Sequence, residues 1–428
     1  LKKAVENQAT GKDSKHNMAL LSVDDALARL LAGTSVLASE TVPLHEAGGR
    51  VLATPVVAVL TQPPFAASAM DGYALHACDI QNTPVRLAII GEAAAGHAFS
   101  GKIGAGEAVR IFTGAPVPDT ADTIIVQEKT KRIDDTTVEI SESAALNKNI
   151  RPVGGDFKQE DTVLPRGQVL TPAALALAAA AGHDAVEVIG RPRVAILSTG
   201  DELVPAGTRP GANRIVASNA YGIGEIARLH GTEIINLGIA PDEHKAICRA
   251  VDEAIRQKTD ILVISGGVSA GDYDLVQDVL KEAGMVPDFW KIAMRPGKPL
   301  MSGILPANLP LRVLGLPGNP VSSLVTAHVF LVPVIEKMSG RTYAPQILTA
   351  SLKSPLAANG SRRHYIRAIA QHDTEGEITV TPLANQDSSL LSVMAQSNCL
   401  IVHEADAPEQ TKGGRCQILL LEHFPINC

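Results

Sequence analysis

Carboxylates crowd around a glycine turn in the stretch Asp260-Ile-Leu-Val-Ile-Ser-Gly-Gly-Val-Ser-Ala-Gly-Asp-Tyr-Asp274. Gly266 and Gly267 let the backbone turn tightly with its N–H groups outward, which is how a strand end cradles a phosphate. Ser269 adds a hydroxyl, and Asp272 and Asp274 place two carboxylates beside the turn. Phosphate donors next to carboxylates suit a phosphorylated ligand and a divalent cation such as Mg²⁺. An ordinary strand-to-helix turn with Asp274 as the helix cap would use the same residues. Glu202 and Asp242 are further acidic candidates; hard oxygen donors favour Mg²⁺ over Zn²⁺. Downstream, Lys291, Arg295 and Lys298 surround a Pro-Gly turn. They could form a separate site for a small oxyanion, or simply a solvated basic loop.

The elements that must position these groups follow from periodicity. Between 188 and 340 the chain alternates strand and helix. Strands are predicted at Val194 to Leu197, Glu233 to Ile239, Ile261 to Ile264 and Arg312 to Leu316, with an extra one at Phe289 to Ala293. Helices are predicted near 219–230, 243–257, 274–283 and 320–338. This pattern describes a doubly wound parallel sheet. Ligands bind such sheets beyond the carboxyl ends of the strands. Ser198–Glu202, Pro241–Asp242, the glycine turn and Leu316–Pro320 all fall at that edge. No Gly-x-Ser-x-Gly elbow, no Gly-x-x-x-x-Gly-Lys-Ser/Thr loop and no His/Cys cluster at zinc spacing occurs.

The remaining chain reads as smaller units. Residues 1–17 are polar and lysine-rich and are expected to be a disordered tail. A helix is expected over 22–39, and Thr171-Pro172 starts another that ends at Gly182. These belong to a discontinuous N-terminal helical domain, 18–60 plus 158–187. A small β domain at 61–157 interrupts it, and a second β domain closes the chain at 341–428. The fold class is therefore α/β and β, multidomain.

Composition narrows the function. Net charge is −7 and aromatics make up 3% of residues, so neither nucleic acid nor an anionic membrane is an expected partner. The five cysteines are scattered, with no Cys-x-x-Cys, which fits a reducing cytoplasm. No unbroken apolar run is long enough to cross a bilayer.

Across nearly its whole length the chain resembles the molybdopterin molybdenumtransferases, bacterial relatives of the gephyrin E domain. The matching stretches are Ser68-Ala-Met-Asp-Gly-Tyr-Ala74, Ile111-Phe-Thr-Gly-Ala-Pro-Val-Pro118, Ser198-Thr-Gly-Asp-Glu-Leu203, Asn236-Leu-Gly-Ile239, Ser265-Gly-Gly-Val-Ser269, Arg295-Pro-Gly-Lys-Pro299 and Leu316-Pro-Gly-Asn-Pro-Val-Ser322. The resemblance implies that molybdenum passes from molybdate to adenylylated molybdopterin with Mg²⁺ and release of AMP. It implies a homodimer with a shared cleft, and other cofactor-biosynthesis proteins as partners. The positions it carries over are Asp71, Thr113, Arg151, Asp156, Glu202, Asp242, Asp274, Lys291, Arg295 and Lys298.

On that basis Gly266, Gly267 and Ser269 hold the nucleotide-linked phosphate, and Glu202, Asp242 and Asp274 place Mg²⁺. Arg295, Lys298 and Ser322 bind molybdate, with Arg363 a further candidate from the C-terminal domain, and Pro299 belongs to the cofactor-binding set. Asp71 and Thr113 close the cleft, and Arg151 and Asp156 contact the substrate. The chain departs from the family pattern at Ala66 and Gly155, where carboxylates are usual, and at Asp387, where glycine is usual. A pterin carrier or scaffold, or a molybdopterin adenylyltransferase, would share much of this pattern, since residues 188–340 alone also resemble the latter.

Overall fold

The computed structural model describes residues 20–267, 275–306 and 310–421. The chain divides into two compact units, one of residues 39–189 and one that joins the N-terminal segment to 190–428.

In the larger unit, a six-stranded sheet runs in the order Glu233–Ala240, Arg193–Thr199, Ile261–Ser265, Leu311–Leu316, Pro299–Leu305, Val286–Lys291. The first four strands are parallel. The last two join by antiparallel pairing, in contrast to the parallel sheet expected, and Pro299–Leu305 is a strand beyond those expected. The cause is chain length: the connections 292–298 and 306–310 are too short for the crossover that parallel strands need.

Strand side chains alternate between two apolar layers. Val194, Ile196, Val263 and Leu314 face the helices Asn219–Leu229 and Pro320–Thr326, whose course continues to Met338. Ala195, Leu197, Leu262 and Ile264 face His244–Arg256 and Leu275–Glu282. The 320–338 helix is long and apolar enough to cross a membrane by composition, but 78% of that window is buried inside the unit.

The helix expected over 22–39 spans only Val23–Ala32. Ser22 caps it by accepting from the Asp25 N–H at 3.0 Å, and Gly33 ends it. Its buried residues Val23, Ala26 and Leu30 join the first apolar layer of the central sheet.

The C-terminal segment forms a second sheet, ordered Met294–Arg295, Arg363–His372, Ile378–Pro382, Ile347–Leu352, Arg415–Leu420, Cys399–His403. A further pairing of Arg363–His372 with Cys399–His403 closes five of these strands into a small barrel. Met294–Arg295 adds to its side and so ties the basic loop to the barrel.

In the smaller unit, Ser39–Pro43 pairs with Ala185–Ile189, and Thr171 caps the helix Pro172–Ala180. A second sheet there has the order Thr123–Val126, Gly72–Leu75, Glu107–Ile111, Val85–Ala93, Thr137–Ile140, Thr130–Arg132. Gly72 must be glycine, because a Cβ there would lie 1.8 Å from the Ile125 carbonyl oxygen.

Candidate functional site

All four loops expected at the carboxyl edge of the parallel strands line one cleft of about 640 Å³. Ser198 to Glu202 leave the first strand, Asp242 follows the edge strand, and Gly266 and Gly267 follow the central one. Pro317 to Pro320 lead from the last parallel strand into a helix. The glycines are sterically required. Gly266 and Gly267 have φ of +97° and +63°. A Cβ on Gly266 would lie 2.5 Å from the Thr199 carbonyl oxygen, and one on Gly267 would lie 2.6 Å from Val276 Cγ2. The Gly266 N–H donates to the Leu316 carbonyl at 3.3 Å, so that donor is spent on the fold. No described residue accepts from the Gly267 N–H. Ser269 and Asp274 lie outside the described residues.

The helices Asn219–Leu229 and Pro320–Thr326 both begin at this cleft, and helix N-termini favour anions. Asn219 was not picked out from the sequence, yet its Nδ2 donates to Ser265 Oγ and to the Gly318 carbonyl, both at 2.9 Å. It thus clamps two of the loops together. Its only sequence signal was its place at a predicted helix start. The C-terminal barrel also reaches the cleft: Ser389 lines it, and Ser388 Oγ accepts from Asn319 Nδ2 at 3.0 Å. Asp387, the departure from the family glycine, accepts from the Ser389 N–H and hydroxyl and so shapes that loop.

Glu202 and Asp242 line the cleft, and the Asp242 N–H donates to Asp201 Oδ1 at 3.0 Å. Partial burial, together with the charges of Asp201 and Glu202, raises the Asp242 carboxyl above its ordinary value. A group of acids that repel one another across a cleft is a donor set that a hard divalent cation would relieve. Among the described residues no three His, Cys, Asp or Glu side chains come together to hold a metal. Two of the three expected ligands are therefore present in the cleft, and the third, Asp274, is not described.

Lys291, Arg295 and Lys298 are all exposed, and none pairs with a carboxylate among the described residues. The Ile292 N–H donates to the Lys298 carbonyl at 3.2 Å and closes their loop, and the adjoining Pro299 lines the cleft. Burial, with Arg295 beside it, pushes the His364 imidazole down to about 4. Ser322 is buried in the first turn of its helix and does not line the cleft.

Arg363, expected to bind molybdate, is held elsewhere. Its Nη1 and Nη2 donate to the Asp24 carboxylate at 2.7 Å each, and its Nε donates to Glu404 at 2.8 Å. It straps the first helix to the C-terminal barrel.

In the smaller unit, Asp71 and Thr113 touch. Asp71 Oδ1 accepts from both the Thr113 N–H and its hydroxyl at 2.7 Å, and these bonds hold the carboxyl below its ordinary value. Arg151 is exposed on the two-residue strand that pairs with Ala67–Ser68, while the Asp156 N–H donates to the Gln62 carbonyl.

A cleft at the carboxyl edge of a mixed α/β sheet is where such folds bind their ligands, and it defines the class as an α/β ligand-binding domain. Comparison with known proteins makes this specific. Residues 21–182 match the MoeA N-terminal region (domain I and II), 195–337 a probable molybdopterin binding domain, and 349–421 the MoeA C-terminal region (domain IV). A molybdopterin molybdenumtransferase from Haemophilus influenzae is 34% identical over 412 residues, covering 95% of this chain and 100% of that protein. One from Nostoc sp. is 37% identical over 371 residues, covering 85% and 84%. The crystal structure of a molybdopterin biosynthesis MoeA protein from Pyrococcus horikosii superposes with a TM-score of 0.78 at 27% identity, covering 95% of this chain and 100% of that one. The chain belongs to the molybdopterin molybdenumtransferase family, and it is a transferase of molybdenum cofactor biosynthesis.

Proposed function

We propose that the chain takes molybdenum from molybdate and places it on the dithiolene of adenylylated molybdopterin, breaking the phosphoanhydride and releasing AMP. One observation carries this reading. The cleft brings two helix N-termini, a glycine turn and the acids Glu202 and Asp242 together, and the exposed cations of the 291–298 loop adjoin it through Pro299.

In this reading the Gly267 N–H and the helix N-termini orient the phosphates of the nucleotide-linked group. Glu202 and Asp242, with Asp274, would hold Mg²⁺, which when bound supplies charge neutralisation at the phosphoanhydride. Arg295 and Lys298 hold molybdate near the dithiolene by charge-assisted hydrogen bonds. Pro299 and Ser389 shape the wall beside them. Asp71 and Thr113 act as a preset pair in the smaller unit, which also carries Arg151 and Asp156 as candidate substrate-binding residues. In this reading the working form is a homodimer.

The test is AMP release from adenylylated molybdopterin with Mg²⁺, with and without molybdate. Molybdate-stimulated release, with metal retained on the pterin, supports the reading. Tight binding without release would favour a carrier instead, and AMP addition would favour an adenylyltransferase.

A further inference from the structure

A second hollow lies along the helix that begins at the cleft. It has a volume of about 240 Å³ and forms where the end of Asn219–Leu229, the middle of the 320–338 helix, the segment 341–346 and the strand Arg415–Leu420 meet. The two hollows share no residue. Pro320 lines the first and His328 the second, about 12 Å apart along the helix axis. The helix widens into a π-turn at Ala327–Leu331, where His328 sits, and such turns concentrate at functional sites.

The charges in this wall balance among themselves. Burial opposes ionisation of Glu336, but His230 Nδ1–H donates to it at 2.6 Å and Arg341 Nη1 at 3.2 Å. These partners hold its carboxyl below the ordinary value. A further anion would meet Glu336 here, and a further cation would meet Arg341.

His328 is different. It has no hydrogen-bond partner among the described residues, and burial, reinforced by His230, pushes its imidazole down to about 4. It is therefore neutral near pH 7 and offers the hollow one N–H and one lone pair. Tyr343 also lines the hollow, and burial pushes its phenol up to about 12, so it keeps its O–H. Ile226, Leu229, Val332 and Leu419 supply apolar wall. His328 is half-buried on the wall of the hollow, so one of its ring nitrogens and the Tyr343 hydroxyl can pair with the edge of a ligand. The volume equals about eight waters, the size of a small bicyclic ring.

We propose that this hollow binds an uncharged, planar heteroaromatic molecule whose ring edge carries a hydrogen-bond donor beside an acceptor. The ring packs against the apolar wall, and its edge meets His328 and Tyr343. The inference does not depend on the reaction carried out in the cleft.

The test is calorimetric titration of the full chain at pH 7.5 with 7-azaindole, which has that edge, and with benzoate and benzylamine as charged probes of similar size. Saturable binding of 7-azaindole is expected, unaffected by excess AMP. His328→Phe should weaken it about tenfold, the worth of a hydrogen bond, and Tyr343→Phe by a few fold. The charged probes should bind at least about tenfold more weakly. If His328→Phe fails to fold, Tyr343→Phe carries the test. The proposal is overturned by no saturable binding up to about 10 mM, by displacement with AMP, or by unchanged affinity in the variants that fold.

Discussion

Asp242 and Asp71 are both surface carboxylates in signature loops, yet their environments push them in opposite directions. Partial burial and the charges of Asp201 and Glu202 raise Asp242. Two hydrogen bonds from Thr113 lower Asp71. The carboxylate of Asp71 is satisfied by its own chain, whereas that of Asp242 is left facing the like charges of Asp201 and Glu202. One carboxylate has its hydrogen-bond donors supplied on folding, and the other keeps an electrostatic cost after folding. The manner of construction differs in the same way. The cleft gathers residues from strand ends far apart in sequence, held by sheet topology and by Asn219. The Asp71–Thr113 pair joins two neighbouring loops of one small sheet.

The sharpest way to break this comparison is Asp242→Asn. Molybdate-dependent AMP release should fall by roughly 10²-fold or more, while the melting temperature stays level or rises, because a like-charge repulsion is gone. A clear loss of stability would mean that Asp242 is structural. Next, Gly267→Ala forces a Cβ into a left-handed backbone position against Val276. It should cost about 1–3 kcal/mol in a denaturant titration and raise KM for the pterin substrate. Unchanged stability would show that the turn has room to relax.

Mg²⁺ and pH separate the two carboxylates further. Asp242 has a raised pKa, so its charge penalises folding above that pKa, and the penalty is relieved as pH falls through it. Asp71 has a lowered pKa, so its contribution is present above the ordinary carboxylate range and is lost as pH falls through the lower folded value. At pH 7, Mg²⁺ at ten times its dissociation constant should add about 1.4 kcal/mol of stability. Asp242→Asn should abolish most of that gain, and Asp71→Asn should leave it intact. Equal responses would dissolve the distinction. The smallest effect belongs to Thr113→Val, which removes one of the two bonds to Asp71. The Asp71 carboxyl should move part of the way back toward its ordinary value in an NMR titration. The melting temperature should shift by no more than about 2 °C.

Much of the cleft was legible in the sequence because its signals are local. Strand–helix alternation is carried by apolar periodicity, and glycine marks positions where only its backbone freedom fits. From these, the loops at 198–202, 241–242, 266–267 and 316–320 could be placed on one edge, and they line one cleft. Arg363 is harder to read, for the opposite reason. A guanidinium near an expected anion site reads the same whether it faces the ligand or, as here, Asp24 and Glu404 from distant parts of the chain.

By itself, then, the sequence determined the alternating α/β core, the glycine turn, the Ser22 and Thr171 helix caps and the family, since each resides in short-range spacing or residue identity. Tertiary structure alone decided the antiparallel pair at the sheet edge, the closure of the C-terminal barrel, the packing of Val23–Ala32 into the central core and the Asn219 clamp. These are pairings between residues far apart in sequence. Burial of apolar faces and satisfaction of polar groups select them only once the whole chain has packed.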